Sequence, residues 1–325
     1  MASGVLVIGE ATEDGRLAPV VPELLGAATR LGGTVTCALL GSAVEGLAKE
    51  CAAWGAGKVI VVDDPVLAEY QGDAYAPVAE RICREVDPSV VLMGQTMLGR
   101  DLAPRLAARL GTAVAMDCVS LQAQGDKLMA ERPCYGGNAR ARYSFATSPQ
   151  IATVKVKSQE PLARDDSRQG EIVKQAAEVN PEAVRTKVVD RRKEKAEGVR
   201  LEDARVVVSG GRGLGGPEGF KPLEELAEIL GGAVGASRAV CDLGWYPVAT
   251  QVGLTGKVVT PDLYIAVGIS GASQHMAGIS QVKNIVSINK DPEASIFKAS
   301  RFGVVGDWKE IVPAFIEKVR ELKAS

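Results

Sequence analysis

Short apolar runs that each lead into a segment of helical period constrain this chain's fold more than any other feature. Gly4–Gly9, Thr34–Leu40, Lys58–Asp63 and Ser89–Gly94 read as buried strands, while Leu17–Leu31 and Val44–Trp54 repeat their apolar residues with a helical spacing. Gly32-Gly33 and Gly55-Ala56-Gly57 stop two of the helices. Strand, helix, strand in repetition requires a parallel sheet with helices on both faces, so the fold class is α/β and doubly wound. From Cys118 the period falls to two. CVSLQ, KLMAERPCY, ARARYSFAT and QIATVKV are expected as shorter antiparallel strands that finish the first domain.

Between Arg185 and Arg205, 13 of 21 residues are charged, so the segment has little apolar surface to bury. It reads as a solvated linker, with a first α/β domain over 1–190, the linker over 191–204 and a second domain over 205–325. Its run RRKEK carries interleaved acids and no aromatic residue, which argues against a nucleic-acid patch. After the linker the α/β pattern restarts with ARVVVSGGRGLGG. A helix follows from about Pro222 to Leu230, then strands at Leu263–Val267, Asn284–Ile288 and Gly303–Val305 and a closing helix from about Trp308 to Lys323.

Gly211 to Gly216 fits G-x-G-x-x-G after a strand, the weakest form of the dinucleotide motif. Its context departs from that motif, because Pro217-Glu218-Gly219 delays the helix and no strand ends in an acid at the required distance. An ordinary NAD site is therefore not expected. Three further small-residue junctions follow: Gly235–Val240, Gln251–Gly256 and Val267–His275. Each falls at the carboxyl end of an expected strand, where open α/β sheets bind ligands and main-chain N–H groups reach phosphates. Together they suit an extended, phosphate-containing ligand.

Composition narrows the partners. A net charge of −2 gives no global attraction to nucleic acid or anionic lipid. No stretch has the length of a membrane span, and MASGVLVIGE lacks a basic region ahead of its apolar run, so a cytoplasmic protein is expected. The six cysteines form no C-x-x-C pair and there is one histidine, His275, which leaves almost no ligand set for a metal. Reduced, mostly buried thiols are expected. His275 stands in ISGASQHMAG, where a histidine among small residues ordinarily serves a turn. Asn289 and Asp307 follow later strands of the same sheet. Their plain readings are a turn and a helix N-cap.

The ordered set SGGRG, GASR, QVGLTGK, YIAVGISGASQH and INKDPEASIF resembles the FAD-binding domain of the electron transfer flavoprotein α subunit family. LMGQTMLGRDLAPRLAARLG and RPCYGGNA are similar to that family's N-terminal domain. The resemblance implies two doubly wound domains, the second a parallel-sheet FAD-binding domain, in a heterodimer with an electron transfer flavoprotein β subunit that carries AMP or a second FAD. The complex would take electrons from a flavin dehydrogenase, or from NADH, and pass them to a quinone reductase or another redox acceptor. A second FAD would make electron bifurcation possible.

Carried onto this sequence, the resemblance places Arg212 and Ser237 by the FAD, Arg238 beside the isoalloxazine and Thr255 near flavin N5, with Gln251, Val252 and Gly253 shaping that loop. It places Ser270, Gly271, Ala272 and Gln274 at the pyrophosphate region, His275 at the flavin C2 carbonyl, and Asn289 and Asp307 at the adenosine half. Leu254 stands where the family commonly has glutamine, which removes an amide beside Thr255. With one histidine and no persuasive acid pair, no catalytic residue of the usual kind is expected. The alternatives are a stand-alone FAD- or NAD-dependent oxidoreductase with its own organic substrate, and a nucleotide-binding regulatory protein.

Overall fold

Successive residues of an extended strand face opposite ways, so a strand buried on both sides must be apolar throughout. In the computed structural model, which describes residues 4–135, 139–190, 199–202 and 204–324, β1 (Val5–Gly9) meets that requirement: Val5 and Val7 enter one core, Leu6 and Ile8 the other. The chain divides, with its main boundary between 191 and 192, into two compact units. Of the expected linker over 191–204, residues 191–198 and 203 lie outside the described residues.

The first unit continues through α1 (Val20–Leu31), β2 (Val35–Gly41), α2 (Ala48–Ala53), β3 (Lys58–Asp63), α3 (Gly72–Val86), β4 (Val90–Gly94), α4 (Met97–Leu110) and β5 (Val114–Cys118). A three-stranded antiparallel sheet follows, β6 (Ser120–Gln124), β7 (Lys127–Cys134) and β8 (Ala139–Tyr143), and then β9 (Gln150–Val154) and β10 (Glu171–Lys174). The main sheet has seven parallel strands in the order β10-β3-β2-β1-β4-β9-β5.

Two expectations change here. QIATV is not a finishing antiparallel strand, since β9 inserts between β4 and β5, parallel to both and buried at every residue. Its alternation of polar and apolar types is misleading because its polar side chains are bonded inside the protein. Gln150 Oε1 accepts from Leu128 N at 2.7 Å and its Nε2 donates to Asp126 O at 2.9 Å. The helix expected over Val44–Trp54 opens as a 3-10 turn, Glu45–Leu47, before α2.

The second unit runs through β11 (Val206–Gly210), α5 (Phe220–Leu230), β12 (Ala233–Ser237), α6 (Arg238–Asp242), β13 (Gln251–Val252), β14 (Leu263–Val267), α7 (Ser273–Gly278), β15 (Ile285–Asn289), β16 (Phe302–Val305) and α8 (Trp308–Ala324). Its six strands are all parallel, in the order β13-β12-β11-β14-β15-β16. Val208, Ile265 and Val267 pack under α5 and α8, while Val207, Tyr264 and Ala266 enter the opposite core. Both units are thus doubly wound parallel α/β sheets.

Two buried acids, Glu10 and Glu23, each pushed up to about 7 by burial, make the first unit sensitive to pH. Glu10, just past β1, accepts a hydrogen bond from Thr96 Oγ1 at 2.8 Å, and burial pushes its pKa up from 4.5 to about 7. A raised carboxyl pKa in the folded state contributes stability that is full below the unfolded value and is lost as pH rises through about 7. Glu10→Gln keeps an acceptor for Thr96 and cannot ionise. It is expected to raise thermal stability above about pH 7 by ~2–3 kcal/mol and to flatten the slope between pH 5 and 8. Thermal melts at both pH values check this; an unchanged pH slope would contradict it.

Candidate functional site

In the second sheet, successive strands step outward from β11 to β12 and β13, and the chain then returns to place β14 on the other side of β11. Neighbouring loops after β11 and β14 therefore run in opposite directions and open a crevice at their carboxyl ends. The loop after β11 holds Arg212, and the loop after β14 holds Ser270, Gly271 and Ala272. The two loops are tied together, Gly211 N donating to Val267 O and Gly213 N to Gly268 O, each at 2.9 Å. A Cβ at Gly211 would stand 2.3 Å from Gly268 O, so only glycine permits this approach.

The sequence-expected residues fall along this one edge. Ser237 ends β12 and Arg238 begins α6; Gln251 and Val252 form β13, and Gly253 and Thr255 follow it. Gln274 and His275 lie in α7, Asn289 ends β15 and Asp307 follows β16. The glycine motif also behaves as expected. Arg212–Leu214 and Pro217–Gly219 are two 3-10 turns, so α5 starts only at Phe220, away from the last glycine of the G-x-G-x-x-G run.

The loop after β13 is built from the main chain. Gly253 N donates to Lys257 O, Lys257 N to Gln251 O, and Leu254 N to Gln274 O at 2.7 Å, which fastens the loop onto α7. The Leu254 side chain is exposed and its N–H is committed to that fastening. Gln251 is buried, and its Nε2 donates to Thr255 Oγ1 at 3.1 Å. Thr255 is exposed with its own hydroxyl proton left to donate outward. Ser270, Ala272 and Gln274 are likewise exposed at the crest.

Charge at the edge is less concentrated than the residue types suggest. Arg238 Nε meets Asp242 Oδ2 at 3.2 Å, one helical turn on, and both side chains are well exposed. Asn289 and Asp307 show the plain roles read for them in the sequence. Asn289 Nδ2 donates to Ile269 O and its Oδ1 accepts from Asp291 N, while Asp307 Oδ1 accepts from Lys309 N at the start of α8. Those bonds hold the loops that frame the edge and leave each group further acceptor capacity.

His275 is buried rather than set in a surface turn. Its Nε2 lies 2.9 Å from the Tyr264 hydroxyl, and its Nδ1 is buried without a hydrogen-bond partner among the described residues. Burial pushes its pKa down from 6.5 to about 4, against a small opposing effect of the Val252 main chain, so the imidazole is neutral at pH 7. In this environment the ring can serve as a neutral donor or acceptor.

Tyr264 was not legible as a site residue. It sits inside the apolar run LYIAV, where the one available signal is a buried phenol that needs a partner for its hydroxyl. The arrangement as a whole fits FAD. Close-approach glycines, exposed hydroxyls and amides gather at the sheet edge where open α/β folds take up extended phosphate-containing ligands, and the unpartnered Nδ1 lacks a bond that a flavin carbonyl can complete. Among the described residues no group of three or more histidines, cysteines or acids could hold a metal ion, and no helix is long and apolar enough to cross a membrane.

Known proteins carry the same two parts. Residues 5–180 match the electron transfer flavoprotein domain, and residues 200–280 match the electron transfer flavoprotein FAD-binding domain. The electron transfer flavoprotein subunit alpha of Thermoanaerobacterium thermosaccharolyticum is 45% identical over 95% of this chain and 96% of its own length. That of Bacillus subtilis is 43% identical over 99% of both chains, and that of Megasphaera elsdenii 43% identical over 98% of this chain and 97% of its own. Motif order, edge geometry and full-length similarity agree, and the chain belongs to the electron transfer flavoprotein α subunit family, with FAD as its cofactor.

Proposed function

We propose that this chain is the FAD-holding α subunit of a heterodimer that shuttles electrons from flavin dehydrogenases, or from NADH, to a quinone reductase or another acceptor in the cytoplasm. The observation that carries it is the family's FAD-binding domain folded so that the expected contacts share one sheet edge. We assign residues 1–190 to an N-terminal α/β domain, 191–204 to a linker and 205–325 to the FAD-binding domain. A β subunit completes the complex and carries AMP or a second FAD, the second of which makes bifurcation available.

FAD, when bound, supplies the one- and two-electron chemistry, and the protein's task is to hold and tune it. In this reading Ser270, Gly271, Ala272 and Gln274 bind the pyrophosphate, and Asn289 and Asp307 the adenosine half. Arg212 and Ser237 steady the cofactor. Gln251, Val252 and Gly253 shape the loop that aims the Thr255 hydroxyl at N5, and Gln251 fills one acceptor site of that hydroxyl while its proton stays free to donate. Arg238 places a fixed cation beside the ring, which favours the reduced, anionic form. His275 donates to the C2 carbonyl.

The test uses the purified complex with acyl-CoA thioesters or hydroxy acids, with and without a flavin dehydrogenase. Flavin bleaching only in the presence of the dehydrogenase is expected. Bleaching by the organic substrate alone would favour the stand-alone oxidoreductase and contradict the carrier.

A further inference from the structure

A neutral imidazole carries one proton on either of two nitrogens, and the hydrogen bond made by one nitrogen decides what the other can do. At His275 both nitrogens are buried. Nε2 faces the Tyr264 hydroxyl at 2.9 Å and Nδ1 has no partner among the described residues. Tyr264 is fully buried on β14, directly below α7. We propose that Tyr264 is a positioning residue which donates its proton to His275 Nε2, fixes the Nδ1–H tautomer and so presents an N–H donor to the flavin ring. This rests on the reading that His275 faces the flavin.

The relative acidities of the two groups set the direction. Of the two groups the phenol is the stronger acid and the imidazole nitrogen the stronger base, so the favourable bond runs from O–H to Nε2. The opposite tautomer would place a bare lone pair at Nδ1, facing the electron-rich C2 carbonyl and N1. Burial that keeps His275 neutral also keeps this donor uncharged, so the tautomer and not a titration determines what the flavin meets.

This chain has one histidine, which makes the tautomer directly observable. The chain is labelled with heavy nitrogen in both histidine ring positions, paired with unlabelled β subunit, and examined in the FAD-loaded complex by nitrogen-detected NMR. In the wild type Nδ1 is expected as the protonated, pyrrole-type nitrogen and Nε2 as the bare, pyridine-type one, the reverse of what a solvated histidine prefers. An Nε2–H tautomer, or a doubly protonated ring at pH 7, would overturn the inference without reference to any variant. In Tyr264→Phe, which keeps the ring volume and removes the hydroxyl, the two signals are expected to move toward each other as the tautomers mix. Wild-type signals retained in that variant would also overturn it. The FAD content of the same samples reports separately on whether the edge holds the cofactor.

Discussion

Replacing Arg238 by alanine is expected to lower the flavin midpoint potential by roughly 40 mV while FAD remains bound. A unit charge about 4 Å from another contributes ~1 kcal/mol in water and ~4 kcal/mol at an effective dielectric of 20. The exposed start of α6 belongs nearer the lower of these values, and Asp242 at 3.2 Å offsets part of the cation's field. Around 1 kcal/mol per electron, with 59 mV per tenfold change in a one-electron equilibrium, gives a shift of roughly 40 mV. The ion pair supplies a control of opposite sign. Asp242→Asn frees the guanidinium from its counter-charge and is expected to raise the potential, by less than Arg238→Ala lowers it. Redox titration of both variants checks the pair of signs, and an unchanged midpoint in flavin-loaded Arg238→Ala would exclude the electrostatic role.

Gly278→Ala is expected to weaken FAD binding by tenfold or more. Gly278 ends α7 where the loop after β13 crosses it, and a Cβ there would lie 2.5 Å from Gly253 N and 2.6 Å from Gly253 Cα. Gly253 itself has φ 149°, a conformation that suits glycine, so the loop has little freedom to rotate out of the way. The clash must be relieved by lifting the loop from α7, which costs the Leu254 N–H bond to Gln274 O and displaces Thr255 and Gln251 together. Overpacking of this kind typically costs 1–3 kcal/mol, equivalent to roughly fivefold to 150-fold in affinity, with about 2 kcal/mol giving roughly thirtyfold. Equilibrium dialysis against FAD measures it, with the melting temperature of the variant recorded to separate lost binding from lost fold.

Much of this was legible because the constraint was strong. Fully buried parallel strands demand apolar runs, and Lys58–Asp63 and Leu263–Val267 coincide with β3 and β14. Glycines needed where main chain meets main chain marked the carboxyl edge of the second sheet in the sequence itself. QIATV misled because Gln150 and Thr153 satisfy their polar groups internally, and a sequence cannot show which polar residues will find partners. His275 hid its surroundings in the same way: the sequence suggested a turn, whereas the ring is buried against Tyr264 and burial lowers its pKa to about 4. Distance along the chain hid the pairing itself, since Tyr264 and His275 meet only when α7 folds back over β14.

The measurement that bears most directly on the account is a crystal structure of this chain with its β partner and FAD bound. The account expects the isoalloxazine at the carboxyl edge of the second sheet, with a flavin carbonyl within hydrogen-bond distance of His275 Nδ1, the Thr255 hydroxyl facing N5 and the pyrophosphate over Ser270–Ala272. A flavin seated on the first unit, or held by the partner alone with His275 Nδ1 still unpartnered, would contradict it.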